Sequence, residues 1–166
     1  MLATRVTERV NYQTLVNQDH SLDAHCALLV SSYQRLLGKP LIDNDLLLHQ
    51  GYDALFEAGF GLLSHGTESP PIFNYGNRLA LELFERTWSE FTQMPSRQSA
   101  EQDERAERER LLKAVTEQGH IEDYKGVRIS ATGKRFYIDK TTVWNLVDDD
   151  GACRGQAAAI FRWQPL

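Results

Sequence analysis

The first third of the chain has the hydrophobic spacing of α-helices. Between residues 22 and 37, apolar side chains recur at every third or fourth position and form one face of an amphipathic helix. Ser21 has a residue type preferred at a helix N-cap, and Gly38 the type preferred just after a helix end. The pattern therefore predicts a helix from Leu22 to Leu37. A weaker helical pattern precedes Ser21, and a further helical stretch is predicted over residues 45–58, with an interruption at Gly51.

In the middle of the chain, two short apolar segments lie on either side of a loop rich in turn residues. These segments, residues 60–64 and 72–76, predict a β-hairpin. Asn77 follows the second strand directly and is a suitable N-cap for the apolar helix after it. Thr87 and Glu90 have the spacing of a capping box, which predicts the start of a second short helix.

A third and longer helix is predicted over residues 100–118, ending at Gly119. Ser99 is its expected cap, with Gln102 at the reciprocal position. The segment from Glu101 to Arg110 is almost wholly charged, so it is interpreted as a solvated helix face supported by ion pairs along the helix.

From residue 120 onward the pattern is that of strands separated by turns. Three antiparallel strands are predicted, over residues 120–130, 136–147 and 153–163. In the second of them, alternation places one set of side chains on a single face, with the tryptophan as a buried anchor: Phe136, Ile138, Trp144 and Leu146. The opposite face is expected to carry Tyr137, Val143, Asn145 and Val147.

The order of elements predicts an α+β domain with a five-stranded antiparallel sheet and helices on one face. This domain is expected to span residues 52–166, after an N-terminal helical extension over residues 1–51. A chain of 166 residues with 42% hydrophobic residues is long enough for one such core. The apolar stripe of the helix Leu22 to Leu37 must be covered by the sheet of the same chain, by a second copy of the chain, or by both. A homodimer with this helix at or beside the interface is predicted, and an intramolecular lid is the alternative.

Charge and cysteine content narrow the choice of partners and compartment. The net charge of -5 disfavours nucleic acid and anionic membranes as partners. Cys26 and Cys153 lie far apart, without the spacing of a metal or disulfide framework, and are expected to be reduced thiols. Residues 1–9 lack the apolar stretch of a signal peptide, and no run approaches the ~20 apolar residues that span a bilayer. A cytoplasmic protein is therefore expected.

Several local strings resemble the PAS domain and, more narrowly, the MEKHLA family, which is PAS-like. The resemblance lies in Ser64-His65-Gly66-Thr67, Ile72-Phe73-Asn74-Tyr75-Gly76-Asn77, Tyr124-Lys125-Gly126-Val127-Arg128-Ile129-Ser130 and Val143-Trp144-Asn145-Leu146. MEKHLA domains occur as small stand-alone bacterial proteins and at the C-terminus of plant homeodomain-leucine-zipper regulators. The resemblance implies a PAS-like sheet with helices on one face and sensing of a small ligand held between them.

The resemblance also implies where a ligand would lie. The cavity is expected to be lined by aromatic, apolar and amide side chains from the hairpin, the helix after it and the long central strand: Phe73, Asn74, Tyr75, Leu79, Leu83, Phe136, Ile138, Trp144 and Asn145. The alternative is that these side chains fill one another as an ordinary core.

The residues that PAS domains use to bind a flavin or haem are not found at the expected positions of this chain, so the cofactor is unknown. Flavin photoreceptors of this fold need a cysteine beside the middle helices, and the segment 94–100 has none. Haem-binding relatives use a histidine on the long helix, where this chain has none, and His120 lies beyond it. No metal site is expected, because the histidines lack ligand spacing.

The leading interpretation is a sensory or regulatory module without catalytic activity, which binds a small ligand and signals through protein contacts. A pure interaction or dimerisation domain is the alternative. An enzyme is the third hypothesis and would have to use Ser64 and His65, with Glu68 nearby. Neighbours on a strand point to opposite faces, so these two side chains are not expected to pair.

Overall fold

The structure is a computed structural model that describes residues 10–166. Within these residues, four helices precede the first strand: α1 (Tyr12–Gln18), α2 (Leu22–Leu37), α3 (Asn44–Gln50) and α4 (Asp53–Phe56). Three helices follow the second strand: α5 (Arg78–Phe84), α6 (Trp88–Phe91) and α7 (Gln102–Gln118). The strands are β1 (Gly61–His65), β2 (Phe73–Gly76), β3 (His120–Ile129), β4 (Arg135–Val147) and β5 (Cys153–Pro165).

The strands form one antiparallel sheet in the order β2-β1-β5-β4-β3. The predicted hairpin is thus β1 with β2, and the predicted C-terminal strands are β3 to β5. The first and last strands of the chain, β1 and β5, meet in the centre of the sheet. The α+β class and the five-stranded sheet are confirmed.

Helices cover both faces of this sheet. We call the face under α5, α6 and α7 the inner face, and the face under α1, α2 and α4 the outer face. The outer face and its helices share one buried cluster, in which Trp144 is fully buried and meets the ring of Tyr33 edge-on at 4.9 Å. Its members from α2 are Leu22, Cys26, Leu29 and Tyr33.

The bounds of α2 are those predicted, but one of its predicted caps is wrong. Gly38 has φ 71°, and its N–H donates to the carbonyl of Gln34, as expected of a residue that ends a helix. Ser21 makes no side-chain cap bond. Its backbone is helical rather than extended, and its hydroxyl donates to Asp19 Oδ1 at 2.6 Å instead.

The predicted grouping of side chains along β4 is also wrong. Phe136 and Ile138 lie on the inner face, whereas Trp144 and Leu146 lie on the outer face. Lys140 has φ 47°, a left-handed conformation that interrupts the strict alternation of a strand. Side chains before and after this residue therefore change faces relative to a regular strand.

The start of α5 is built around Asn77, which is fully buried. As predicted, its Oδ1 atom accepts from the N–H of Ala80, at 3.1 Å. The same oxygen accepts from the N–H of Leu62 at 2.9 Å, and Nδ2 donates to the carbonyls of Leu55 and Phe60 at 3.1 and 2.8 Å. One side chain thus joins α4, β1 and α5.

Of the two other predicted caps, one is confirmed and one is wrong. Thr87 and Glu90 form the complete capping box of α6. The N-cap of α7 is Glu101, without a side-chain bond, so Ser99 does not cap this helix. Ser99 lies in a 3-10 turn over Ser96–Ser99 and donates to the carbonyl of Ser96 at 2.7 Å.

The apolar stripe of α2 is covered by the sheet of the same chain. The homodimer through Leu22–Leu37 stays a prediction, and so does the domain boundary after residue 51, across which the outer core is continuous. Within residues 10–166, no helix has both the length and the apolar character needed to cross a bilayer. The prediction about a signal peptide concerns residues 1–9 and lies outside the described residues.

Candidate ligand-binding site

A cavity of about 60 Å³ lies between α7 and the inner face of the sheet. The apolar residues that line it come from the sheet and from α7: Leu63, Phe73, Leu111, Leu112, Ile138, Val143, Ala157, Ala158 and Ile160. The polar residues that line it are Ser64, His65, Ser99, Arg108, Tyr124, Arg128, Thr141 and Gln156. The small side chain of Ala158, opposite α7, leaves part of this space open.

Arg108 is the most unexpected of these residues, because it belongs to the segment interpreted as a solvated helix face. That interpretation is wrong at this position, since Arg108 is only 7% exposed. Its Nη2 atom donates to Ser96 Oγ at 2.9 Å. Within residues 10–166, no carboxylate forms a salt bridge with this guanidinium.

Arg128 enters the cavity from β3 and is also 7% exposed. Its Nη1 atom donates to the carbonyl of Val127 at 2.8 Å, and Nη2 donates to the hydroxyl of Tyr124 at 3.0 Å. The guanidinium lies 5.5 Å from the centre of the Tyr124 ring. No acidic side chain of the described chain forms a salt bridge with it.

The two guanidinium groups affect each other. Burial lowers the pKa of Arg108 to about 10, and the positive charge of Arg128 lowers it further in the same direction. Two like charges in a poorly solvated space destabilise each other unless a negative charge is present. The cavity is therefore electropositive.

His65 adds a hydrogen-bond acceptor to the lining. Its Nδ1 atom lies 2.9 Å from the carbonyl of Gly66, which assigns the proton of the neutral ring to Nδ1. Burial lowers the pKa of His65, which favours this neutral form. Nε2 is buried and has no protein partner in the part of the chain that the structure describes. Its lone pair is available to a bound molecule or water.

Of the nine residues predicted to line the pocket, Phe73 and Ile138 line this cavity. Asn145 lies on the same face but links the sheet to α7. Its Nδ2 atom donates to the carbonyl of Val115 at 3.0 Å, and its Oδ1 atom accepts from Gln156 Nε2 at 3.1 Å.

The other predicted lining residues lie elsewhere. Phe136 and Leu83 belong to the aromatic cluster under α5 and α6. Tyr75 and Trp144 are buried in the outer cluster, and Asn74 is exposed. Leu79 is half-buried and does not line the cavity.

Ser64 does pair with a histidine, but not with His65. The Nε2 atom of His25, from α2, lies 2.8 Å from Ser64 Oγ, which donates to Asn74 Oδ1 at 2.5 Å. Because the hydroxyl proton is directed to Asn74, His25 is the donor to Ser64, the reverse of a base that activates a nucleophile. Ser64 is 1% exposed. The arrangement ties α2 to the sheet and gives no support to an enzyme.

Because His25 is buried in its neutral form, we expect the fold to lose stability in mild acid. Burial lowers its pKa from 6.5 to about 4. The unfolded chain therefore takes up a proton at a higher pH than the folded chain, so this stabilisation is complete above pH 6.5 and is lost as the pH falls towards 4. The expected loss is about 3 kcal/mol at most.

The measurement is the free energy of unfolding at several pH values for the native sequence, His25→Gln and His20→Gln. His20 is exposed and serves as the control. The pH dependence should be reduced in His25→Gln and unchanged in His20→Gln. Equal slopes in all three proteins would contradict the assignment.

The two cysteines lie away from the cavity. Cys26 is buried in the outer cluster, where burial raises the pKa of its thiol to about 12, and Cys153 is exposed at the start of β5. Among the described residues, no three His, Cys, Asp or Glu side chains converge in the manner of a metal site.

Solved structures with this fold are PAS and light-oxygen-voltage domains. A PAS domain from Colwellia psychrerythraea is similar with a TM-score of 0.60 and 12% identity, over 72% of this chain and 97% of that chain. A light-oxygen-voltage domain studied with a flavin analogue has a TM-score of 0.53 and 16% identity, over 68% and 82%. A PAS domain of a LuxR-family transcriptional regulator from Burkholderia thailandensis, in complex with ethanol, has a TM-score of 0.50 and 16% identity, over 75% and 98%.

The cavity of this chain does not fit a flavin. Its volume of about 60 Å³ is far below the ~300–1,000 Å³ of pockets for drug-sized ligands, and no cysteine lines it. The fold is thus shared with the light-oxygen-voltage domain, but the cavity of this chain is too small for a flavin.

Sequence comparison identifies the family. No curated protein sequence matches the chain. The MEKHLA domain profile matches residues 23–165, from the start of α2 to the end of β5. The match covers most of the chain and includes every residue that lines the cavity. The chain belongs to the MEKHLA domain family.

Proposed function

We propose that this chain is a sensory or regulatory module that binds a small molecule in the cavity between α7 and the inner face. The observation that carries the proposal is the presence of Arg108, Arg128 and His65 in a cavity lined largely by apolar side chains. Buried polar groups normally find partners within the protein. Here the hydrogen-bonding capacity of these groups exceeds what the described chain uses, so a bound molecule would complete it.

The position of the cavity provides a route from binding to output. Helix α7 contacts the sheet beside the cavity through Gln156, whose Nε2 atom donates to the carbonyl of Leu112 at 3.1 Å, and through Asn145. A ligand that interacts differently with two positions of α7 would shift the balance between them. The signal would then leave through the surface of α7 by contact with another protein.

A related fold supports a ligand of this size. The PAS domain from Burkholderia thailandensis is described in complex with ethanol, a molecule of three heavy atoms. A cavity of about 60 Å³ suits a molecule in that range, since by this measure about 10–15 Å³ is needed to hold one water molecule.

The test is to fill the cavity and measure ligand-dependent stabilisation. Ala158 lines the cavity, so Ala158→Leu should occupy its volume, whereas Ala106→Leu adds the same atoms on the exposed side of α7. The melting temperature is measured with a panel of alcohols, amides and carboxylates of up to six heavy atoms. At least one compound should stabilise the native sequence and Ala106→Leu but not Ala158→Leu, while circular dichroism shows that both variants fold.

Native mass spectrometry of protein purified without denaturation is the second measurement. A retained small mass in the native sequence, absent from Ala158→Leu, would support the proposal. Bare protein that no compound in the panel stabilises would contradict it and favour the interaction domain.

A further inference from the structure

We propose that the ligand is a short-chain carboxylate whose oxygens are bound by Arg108 and Arg128. This inference rests on the proposed function and specifies the ligand class of the same cavity. It follows from three properties of the site: two buried positive charges that form no salt bridge within residues 10–166, a small volume and an apolar wall.

The first property is the uncompensated charge. A guanidinium group has five N–H donors. In the described chain, Arg108 uses one hydrogen bond and Arg128 two, all to neutral acceptors. Burying a charged group without a counter-charge is costly, and an anion in the cavity would offset that cost at both residues. A planar carboxylate matches the donor geometry of a guanidinium with two parallel hydrogen bonds.

The second property is size. By this measure of volume a cavity needs about 10–15 Å³ to hold one water molecule, so about 60 Å³ accommodates about four to six non-hydrogen atoms, the size of acetate or propionate. This space suits a monocarboxylate with a short tail better than a dicarboxylate or a phosphate ester, which carry more atoms.

The third property is the wall around the charged groups. Leu63, Val143 and Ile160 present only hydrocarbon to the cavity. A methyl or ethyl group is favourably placed against such a wall, whereas an inorganic anion loses hydration there without compensation. The Nε2 atom of His65 accepts hydrogen bonds, and a water molecule beside the carboxylate would satisfy it. The site therefore favours a carboxylate with a short apolar tail.

The experiment compares acetate and propionate with their neutral amides. The melting temperature and, by calorimetry, the affinity of the full chain are measured with sodium acetate, sodium propionate, acetamide and propionamide, with sodium chloride keeping the ionic strength constant. The carboxylates should stabilise the protein in a saturable manner, and the amides and additional chloride should not.

Substitutions of the two arginines test whether their side chains bind the carboxylate. Arg108→Gln and Arg128→Gln should each weaken carboxylate binding by about ten- to a hundredfold, because a charge-assisted hydrogen-bonding group is lost. Arg110→Gln removes a positive charge from an exposed position of the same helix and should leave the affinity unchanged. Arg108→Lys retains the charge without the planar fork and should give an intermediate affinity. It also serves as the readout if Arg108→Gln does not fold.

The outcomes separate this inference from the proposed function. Equal stabilisation by acetamide and acetate, or unchanged affinity in both Gln variants, would overturn the carboxylate assignment while leaving a ligand-binding cavity. Equal stabilisation by nitrate at the same ionic strength would also overturn it, since the apolar tail would then have no role. If no compound stabilises the native sequence, this result would instead contradict the proposed function itself.

Discussion

Replacing Trp144 with alanine is expected to lower the free energy of unfolding by about 3–5 kcal/mol. The indole is fully buried between β4 and α2, and its edge-on contact with Tyr33 is lost together with the buried apolar area. The cavity left behind lies in the outer cluster, where α2 cannot collapse onto the sheet without breaking its other contacts. The measurement is chemical denaturation of both proteins at neutral pH.

Trp144→Phe is the matched control for this prediction. The Nε1 atom of Trp144 is buried and has no protein acceptor within residues 10–166, so its removal leaves no group unpaired. Phenylalanine should therefore retain most of the stability, with a loss of about 1–2 kcal/mol. A midpoint unchanged by Trp144→Ala would mean that the outer cluster does not stabilise the fold.

Replacing Asn77 with alanine is expected to cost about 3–5 kcal/mol, well above the ~1 kcal/mol of an ordinary N-cap. The additional loss arises because Asn77 also binds the N–H of Leu62 and the carbonyls of Leu55 and Phe60. These groups are part of a fully buried site, and water cannot replace the lost partner without opening it.

Asn11→Ala provides the comparison, again by chemical denaturation. Asn11 is exposed and caps α1, because its Oδ1 atom accepts from the N–H and from the hydroxyl of Thr14, both at 2.9 Å. Its loss should cost no more than about 1 kcal/mol. Equal effects of the two substitutions would show that Asn77 acts only as a cap and that its other three hydrogen bonds contribute little.

Features set by neighbouring residues could be predicted from the sequence. The C-terminal end of α2 at Gly38, the capping box at Thr87 and the N-cap at Asn77 each depend on residues within a few positions along the chain, so local rules are sufficient. The additional bonds of Asn77 depend on Leu55 and Leu62, which approach only after α4 and β1 have packed. Their contribution was therefore not visible in the pattern.

The reversal of faces along β4 could not be predicted from neighbouring residues in the sequence. It follows the positive φ of Lys140, and lysine has no marked preference for that conformation. The error had a direct consequence for the site, because it assigned Trp144 to the wrong side of the sheet. Side chains on either side of an irregular strand position can be assigned to a face only when the packing of the neighbouring layers is known.

Arg108, in contrast, could have been recognised. Leu111, Leu112 and Val115 follow it by three, four and seven residues, which places Arg108 on the apolar stripe of α7. The high charge of the surrounding segment obscured this periodicity. The sequence around Arg128 does not indicate that this residue is buried, because its burial depends on α7 covering the neighbouring edge of the sheet.

The outer cluster joins α2 to β4, which the ribosome synthesises much later. Ser32 in α2 exchanges hydrogen bonds with the backbone of Val147, 115 residues later in the chain. At about 5–20 residues per second, the ribosome needs about 6–23 s to make the intervening segment. Throughout this interval the apolar stripe of α2 has no sheet to cover it, so we expect the nascent helix to be a target for chaperones that recognise exposed hydrophobic segments.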